Sequence, residues 1–470
     1  MSATVATPHA LSLSRSPVPR LEHERIIARE RAITYLVDQR LDERRAADGR
    51  CVGIQATLAT GPHGDNPIEL YSIIDGMLTD PRHLDEVVVD ELDRALWREI
   101  AELVRSKLGF PLEPELFSNM LFVAYTAGLE HVHLRRLCAT LLPTFRDAHI
   151  EGMHHFFSSA RFACDIDCTA MAVRARLELG DLDPSSAAGA AELRRANTQI
   201  LRSAAVADVS AERNRSHGKL NGPLRRGVLK VYRDDHILQG AEHDRGLKNN
   251  PAVVANALFP LLLELAAGLR DPDESIALRE LGEGGVMREG SSTVAEIVAA
   301  NACYVAGHLL SGEWLAGCRY YPSPDAFLCF YSELAREFPE LTAPFGVPNL
   351  LADAIETRRA TPACDAAANP ESTLNTALRA IAAANIGVSA EPELVRLLAS
   401  QADDGRWRGY DCLFTLGSVG EGLPVHFGSP LVTAGLCVRA LSPAVGRSLR
   451  VPGPGGARWA EPVLARIEHG

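Results

Sequence analysis

The spacing of the apolar residues constrains the fold of this chain more than any other feature of its sequence. Alternating runs of β-branched residues, which are typical of strands, are scarce. Clusters of Gly, Pro and Asp separate the periodic segments, at 61–64, 181–184, 322–324 and 452–456. The sequence therefore predicts an all-α protein of about a dozen helices. Apolar residues recur at helical spacing in the segments 26–46, 84–108, 168–180, 251–268, 292–310, 370–386 and 427–442.

The composition is typical of a folded protein that does not bind nucleic acid. Of the 470 residues, 46% are hydrophobic, and the formal net charge is −12, whereas nucleic-acid binding needs a basic surface. The first 25 residues lack the basic start and the apolar run of a secretory signal. No uninterrupted apolar stretch reaches the roughly 18 residues of a membrane span. We therefore expect a cytoplasmic protein without a transmembrane segment, and we expect its ten cysteines to be reduced thiols.

Two acidic residues stand immediately before one of the predicted helices. Asp165, Asp167 and Thr169 form the pattern D-x-D-x-T-A, and an apolar helical run follows from 171 to 179. Asp and Thr at such a position commonly accept hydrogen bonds from the free N–H groups of the first turn. For an isolated D-x-D pattern, capping of the helix is therefore the favoured interpretation.

A second motif follows the helix-like segment 393–400. Gln401, Gly405 and Trp407 form the pattern Q-x-x-x-G-x-W. At average residue frequencies, this pattern occurs by chance in about a few per cent of chains of this length. The D-x-D-x-T-A pattern is rarer, so the occurrence of both is more informative than either motif alone.

In this order, the two motifs resemble those of the class II terpene cyclases, which belong to the squalene-hopene cyclase-like superfamily with prenyltransferase and squalene oxidase repeats. The segments 249–258 and 320–330 resemble two further stretches of this superfamily. The resemblance implies an (α/α) toroid, in which an inner and an outer ring of helices surround a central cavity. It also implies that Gln401 caps neighbouring helix ends and that the Trp407 indole packs on the next turn.

The resemblance further implies a reaction that begins when a carboxylic acid protonates a linear isoprenoid. Internal alkenes then attack the tertiary cation, and a base ends the cascade. Because an alkene is a very weak base, the acid must be neutral and must lie in a low-dielectric site. By the family motif, Asp167 is the proton donor, Asp165 its supporting neighbour and Thr169 a residue that orients the pair. The family's fourth motif position, often Asp, is Cys168 here, which removes one hydrogen-bonding partner.

Aromatic faces stabilise carbocations by cation–π attraction, but aromatic residues form only 6% of this chain. This scarcity favours a substrate that is shorter than a triterpene, such as farnesyl or geranylgeranyl diphosphate. We predict that Trp314, Tyr320 and Tyr321 bind the substrate. The alternative is that these side chains pack in the core, as buried aromatics usually do.

The segment 213–248 reverses the acidic charge of the chain, with nine basic residues against four acidic ones. Arg and Lys side chains clamp diphosphates, and Mg²⁺ held by Asp234 or Asp235 would assist them. The alternative is a solvated loop. No organic cofactor is expected. The basic residues that we predict to bind the diphosphate are Arg225, Arg226, Lys230, Arg233 and Lys248.

Other chemistry has little support in the sequence. There is no G-x-x-x-x-G-K loop, no G-x-S-x-G elbow and no H-E-x-x-H pair. Paired histidines such as His154 and His155 lack convergent Cys or carboxylate ligands, which argues against zinc. Asp234 and Asp235 lack the third acid of the D-D-x-x-D motif of cyclases that begin by ionisation.

We predict a toroid core in residues 151–450, with helices in residues 26–150 that complete or cover it. Residues 1–25 and 451–470 are predicted to be tails. Two functions remain open, namely a class II-like cyclase that acts on a linear isoprenoid and a non-catalytic (α/α) toroid that binds a lipid or a protein partner. They differ in the surroundings of Asp167, because an acid needs a closed apolar site whereas a cap needs only neighbouring N–H groups.

Overall fold

The computed structural model describes most of the chain from residue 115 onwards and one helix near the N-terminus. The predicted helix 84–108 lies outside the described residues. These residues are 18–46, 57–59, 115–155, 164–212, 215–216, 219–220, 222–233, 247–281, 286–361, 371–407, 413–416, 425–442, 449 and 456–469.

The described chain is mostly helical, as the apolar spacing predicts. The helices of its first half are α1 (Val18–Ala46), α2 (Glu115–Thr126), α3 (Val132–Arg146), α4 (Ile166–Leu179), α5 (Ala187–Arg202), α6 (Pro251–Ala266) and α7 (Val294–Ser311). Those of its second half are α8 (Pro324–Glu337), α9 (Pro339–Thr342), α10 (Val347–Ala360), α11 (Thr373–Asn385), α12 (Glu391–Ser400), α13 (Pro430–Leu441) and α14 (Ala460–His469).

Short antiparallel strand pairs, which the sequence analysis did not predict, lie between the helices. The longest pair joins Ser275–Leu281 to Met287–Thr293, with Ser275 opposite Thr293. Its buried residues Ile276, Leu278 and Glu280 alternate along the strand, which is the period of a half-buried strand. The strands are β1 (Thr57–Ala59), β2 (His149–Ile150), β3 (Met153–His154), β4 (Arg215–Ser216), β5 (Lys219–Leu220), β6 (Ser275–Leu281), β7 (Met287–Thr293), β8 (Phe414–Leu416) and β9 (Val425–Gly428).

Six helices of the described chain contact one another in a closed order, and we call them the inner helices. In this order, α2 packs against α4, α4 against α6, α6 against α8, α8 against α11, α11 against α13, and α13 again against α2. All residues of α4 from Ile166 to Glu178 are buried, as is the whole of α6. Burial on all sides is typical of a helix with neighbours on every face.

Other long helices each pack against one or two of the inner helices. Helix α3 contacts α2 and α4, α5 contacts α4 and α6, and α10 contacts α8 and α11. Helix α12 contacts α11 and α13, while α1 packs on α13 and α7 on α6. In α3, buried residues such as Leu134, Leu137 and Leu141 recur at helical spacing between exposed ones, so only one face of this helix meets the inner helices.

Local sequence signals explain where the central helices begin. Asn250 precedes α6, and its side chain accepts hydrogen bonds from the backbone N–H groups of Ala252 and Val253, while Pro251 occupies a helix position that needs no N–H donor. Thr293 and Glu296 form a reciprocal capping box at the start of α7. The predicted helices 251–268 and 292–310 are therefore confirmed with closely similar bounds.

The structure corrects the two predicted tails. Helix α1 begins at Val18, inside the predicted tail 1–25, with Pro19 in its first turn, where proline is tolerated. Helix α14 lies inside the predicted tail 451–470. Trp459 just before it is buried, and its ring packs edge-on against Phe338 with the centroids 6.2 Å apart. The buried apolar surface of Trp459 holds this short helix to the rest of the protein.

Within the described residues, one helix is long and apolar enough by length and composition to cross a membrane. This helix is α7, and 56% of its apolar window is buried inside the protein. It packs against α6 and α14, which is the environment of a core helix.

Candidate active site

The D-x-D motif begins α4, where Asp165 and Thr169 fix the first turn. Asp165 has an extended backbone, and its Oδ1 atom accepts a hydrogen bond from the Cys168 backbone N–H at 2.7 Å. The Thr169 hydroxyl donates to the Asp165 carbonyl at 2.7 Å and accepts from the His154 backbone N–H at 3.0 Å. Asp165 is therefore the N-cap of α4, as the capping interpretation predicts.

Asp167 does not cap the helix, because its carboxyl group points to side chains of other elements. Its Oδ1 atom accepts a hydrogen bond from Asn256 Nδ2 at 2.8 Å, and its Oδ2 atom accepts one from the Tyr321 hydroxyl at 2.6 Å. Asn256 lies in α6, and Tyr321 lies just before α8. Asp167 is only 7% exposed. The Asp167 carboxyl group is therefore buried, and side chains from α6 and from the segment before α8 fix its orientation.

Burial favours the neutral form of both carboxyl groups. Burial and, to a smaller extent, the neighbouring Asp167 together raise the pKa of Asp165 to about 7. Burial also raises the pKa of Asp167 to about 6, although the hydrogen bonds from Tyr321 and Asn256 favour its charged form. The two donors thus keep Asp167 a stronger acid than burial alone would leave it.

Aromatic rings extend from Asp167 between the inner helices. The Tyr321 ring meets Phe330 edge-on with a centroid separation of 5.0 Å, and Phe330 is 6.4 Å from the Tyr125 ring. Of the three aromatic residues predicted to bind substrate, Tyr321 therefore contacts the acid directly. Tyr320 packs edge-on against Tyr232 at 6.2 Å, and Trp314 is buried in the 3-10 turn Glu313–Ala316.

A second buried polar cluster lies further along the same face of α4. Asp167, Arg174 and Glu178 are spaced so that they share one face of the helix. Arg174 Nη1 donates to Glu333 Oε2 in α8, and Arg439 Nη2 in α13 donates to Glu333 Oε1 at 3.3 Å.

Two guanidinium groups hold Glu333 in its charged form. Although burial raises it, the pKa of Glu333 is lowered to about 2 by Arg174 and Arg439. The Tyr125 hydroxyl also donates to Glu333 Oε2 at 3.4 Å. The Arg174 guanidinium carbon lies 4.6 Å from the centroid of the Tyr125 ring and 5.1 Å from that of Phe259, so Arg174 sits between two aromatic faces.

The predicted diphosphate residues differ in their exposure to solvent. Arg225 and Arg226 are exposed, and Arg226 Nη2 donates to the Ser291 carbonyl at 3.2 Å. Lys248 is half-buried and Arg233 is buried. The metal ligands predicted at Asp234 and Asp235 lie outside the described residues.

Lys230 corrects the diphosphate prediction most clearly. Its side chain is 1% exposed, and its Nζ atom is 3.5 Å from the buried carboxylate of Glu280. The charge of Lys230 is therefore already balanced inside the protein. The sequence alone did not show this pairing, because the acidic partner lies 50 positions away.

The Q-x-x-x-G-x-W motif ties the end of α12 to α1. Gln401 Nε2 donates to the carbonyl groups of Ala28 and Gly405, each at 2.9 Å. Trp407 Nε1 donates to the Leu397 carbonyl at 2.8 Å, so the indole, rather than Gln401, caps the last turn of α12. Gly405 has a φ of +89°, and a Cβ atom there would collide with the Arg31 backbone.

The sequence analysis missed several residues of the site. Asn256 is a polar residue inside the otherwise apolar middle of α6, and Arg174 follows Asp167 at helical spacing. The available signal was a polar or charged residue within an otherwise apolar helical segment. Such a residue is expected to have a hydrogen-bonding partner, because polar groups are rarely buried without one. The other missed residues are Tyr125, Glu178, Glu333 and Arg439.

The solved structures that resemble this chain include two distant neighbours. No family model matches the chain, and no curated protein matches it. A protein from Actinoplanes is 16% identical, with a TM-score of 0.44 over 89% of this chain and 98% of that one. The apo structure of the type II terpene cyclase MstE from Scytonema is 14% identical, with a TM-score of 0.42 over 70% of this chain and 88% of that one. Both TM-scores are below 0.5, so the residue assignments rest on the geometry of the site.

Proposed function

We propose that this protein is a class II-like terpene cyclase in which Asp167 protonates a linear isoprenoid. The observation that carries the proposal is the position of the Asp167 carboxyl group. It is buried, it is not used as a helix cap, and side chains from two other elements fix its orientation. Burial favours its neutral form by raising its pKa to about 6, which is the state that a proton donor requires.

The closed packing order of the inner helices supports an (α/α) toroid with the site in its interior. The residues of the site come from the inner helices α2, α4, α6, α8 and α13, together with Tyr321 just before α8. A substrate held among them would be shielded from water, which would otherwise capture a carbocation.

In the proposed reaction, the Asp167 carboxyl proton moves to the terminal alkene carbon. A C–H bond forms from the alkene π electrons, and a tertiary cation and the Asp167 carboxylate remain. Tyr321 and Asn256 stabilise this carboxylate with hydrogen bonds that strengthen as its charge develops. An internal alkene then attacks the cation to close a ring, and loss of a proton to a base leaves an alkene in place of the cationic carbon.

The aromatic rings next to the acid suit the cationic intermediates. Tyr321, Phe330 and Tyr125 form a continuous set of ring contacts, and a π face attracts a cation without forming a bond to it. Only a few rings are available in this set, which supports a short substrate such as farnesyl or geranylgeranyl diphosphate rather than a triterpene.

The test is an assay with farnesyl and geranylgeranyl diphosphates plus Mg²⁺, comparing wild type with Asp167→Asn and Asp165→Asn. We expect a cyclic product from the wild type and a loss of at least about 100-fold in the Asp167 variant. Asp165→Asn is the matched control, because Asn caps a helix as well as Asp does, and it should lose much less activity. Equal activity of the wild type and Asp167→Asn would exclude Asp167 as the acid.

The second candidate is a non-catalytic (α/α) toroid that binds a lipid or a protein partner. The two hydrogen bonds of Asp167 favour it, because they would then serve to tie α4 to α6 and to the segment just before α8. This candidate predicts that no isoprenoid is cyclised by the wild type and that Asp167→Asn leaves ligand binding unchanged.

A further inference from the structure

We propose that Arg174 binds an anionic oxygen group of the substrate, a carboxylate or a phosphate, between the inner helices. This inference rests on the proposed function, because it concerns the opposite end of the isoprenoid that Asp167 would protonate. Arg174 lies outside the basic segment 213–248, which the sequence analysis predicts to bind the diphosphate.

The first observation is that one edge of the Arg174 guanidinium, formed by Nε and Nη2, makes no hydrogen bond within the described residues. Arg174 is 3% exposed, and its Nη1 atom is taken by Glu333. The two N–H groups of the Nε and Nη2 edge point the same way, and their spacing matches two oxygens of a carboxylate or phosphate.

The second observation is the apolar surroundings of the Arg174 guanidinium. The rings of Tyr125 and Phe259 lie 4.6 and 5.1 Å from the guanidinium carbon. They occupy its surroundings with apolar surface, while Glu333 fixes the remaining nitrogen. A buried donor pair without partners is costly, and an anion at this edge would satisfy both donors.

The third observation is the charge of the cluster. Arg174 and Arg439 are two buried cations, and Glu333 supplies one buried negative charge. The fourth group, Glu178, is 1% exposed, and its Oε2 atom has no hydrogen-bond partner among the described residues. Its carboxyl packs so closely on the backbone of Gly128 that a Cβ atom there would collide with it.

Burial disfavours the charged form of Glu178. Although Arg174 and Arg439 lower it, burial raises the pKa of Glu178 above its ordinary value. Within the described residues, Glu333 is the one carboxylate that hydrogen-bonds with these two guanidinium groups. Buried charges are normally paired, so one anionic group would complete the cluster.

The position of Arg174 sets the geometry of the substrate. Arg174 follows Asp167 by seven positions on one face of α4, so the two residues are about 10 Å apart along the helix axis. The rings of Phe330 and Tyr125 lie between the two sites. The chemical class that fits is an isoprenoid acid or prenyl phosphate, with its anionic end at Arg174 and its terminal alkene at Asp167.

The binding test compares farnesyl diphosphate, farnesoic acid and neutral farnesol by isothermal titration calorimetry. We expect the wild type to bind both anionic ligands at least about 10-fold more tightly than farnesol. Arg174→Lys keeps the charge but loses the two-pronged edge, so it should lose most of this preference for anionic ligands. Arg358→Lys is the matched control, because Arg358 is equally buried but pairs with Asp325 in another cluster.

A crystal structure of the wild type with farnesoic acid tests the site even where the variant does not fold. The carboxylate oxygens should lie about 2.7–2.9 Å from Arg174 Nε and Nη2. A carboxylate bound elsewhere, equal affinity for farnesol, or an unchanged preference in a folded Arg174→Lys variant would overturn the proposal. Anion preference without any cyclic product would sustain the site and reject the cyclase. A cyclic product without that preference would do the reverse.

Discussion

The two halves of α4 lie beside buried carboxyl groups, Asp167 of α4 itself and Glu333 of α8, whose pKa values are shifted in opposite directions. At its first turn, Asp167 accepts hydrogen bonds from an amide and a phenol, and burial raises its pKa to about 6. Two turns further along, the partners Arg174 and Arg439 lower the pKa of Glu333 to about 2. Both carboxyl groups are buried, so the charge of the partners, rather than burial, decides the protonation state.

This difference separates two roles. A carboxyl group with neutral donors can give up a proton and take it back, because either state is within reach near neutral pH. A carboxylate between two guanidinium groups stays ionised and holds its cations in place. Under the proposed function, the Asp167 end of α4 transfers the proton and the Arg174 end anchors charge.

The largest expected effect is the loss of stability in Glu333→Gln. This change leaves Arg174 and Arg439 buried without their counter-charge, and it should lower the free energy of unfolding by about 3–5 kcal/mol. Chemical denaturation measures this value. The control is Glu289→Gln, which removes an exposed ion pair with Arg279 and should cost less than about 1 kcal/mol. Similar losses in the two variants would show that Glu333 does not hold a buried charge cluster.

A smaller effect is expected when Asp167 loses its phenolic donor in Tyr321→Phe. A hydrogen bond to a charged group contributes about 1.5–3 kcal/mol, so its loss should raise the pKa of Asp167 and lower kcat by about 10-fold or more. The pH dependence of kcat measures both changes, and the alkaline limb should move to higher pH. Tyr331→Phe removes a buried hydroxyl without a bond to Asp167 and should leave the limb in place. An unmoved limb in Tyr321→Phe contradicts the proposed role.

The smallest expected effect is a gain of stability in Asp167→Asn. Because the pKa of Asp167 is raised in the folded protein, this group makes the wild type less stable as pH rises from about 4 through 6. The amide removes that loss, so the variant should be more stable than the wild type by about 1–2 kcal/mol at pH 8. The difference should vanish near pH 4. Denaturation at both pH values measures it, and a variant that is less stable at pH 8 would contradict the raised pKa.

Local signals in the sequence predict the elements of this site better than they predict its contacts. The cap at Asp165 and the Asn-Pro start of α6 mark helix ends through neighbouring residues alone. The partners of Asp167 could not be predicted in this way, because Tyr321 is 154 residues away and Asn256 is 89 residues away. Their meeting depends on the order in which the inner helices pack.

The same limit applies to charge. Glu333 and Arg174 are 159 residues apart, and each would look like a surface residue on an amphipathic helix when taken alone. The burial of α4 on all sides is a property of its neighbours and not of its own sequence. The pairing of Lys230 with Glu280 was hidden for the same reason, which is why the basic segment suggested an open anion site.

The most direct test of proton transfer from Asp167 is turnover in D₂O. The exchangeable carboxyl proton is then a deuteron, so the wild type should place one deuterium on the carbon that was the terminal alkene carbon of the isoprenoid. Mass spectrometry and NMR of the cyclic product locate this atom. A cyclic product without solvent deuterium at that carbon, or one formed with release of diphosphate, would contradict a reaction that begins by protonation.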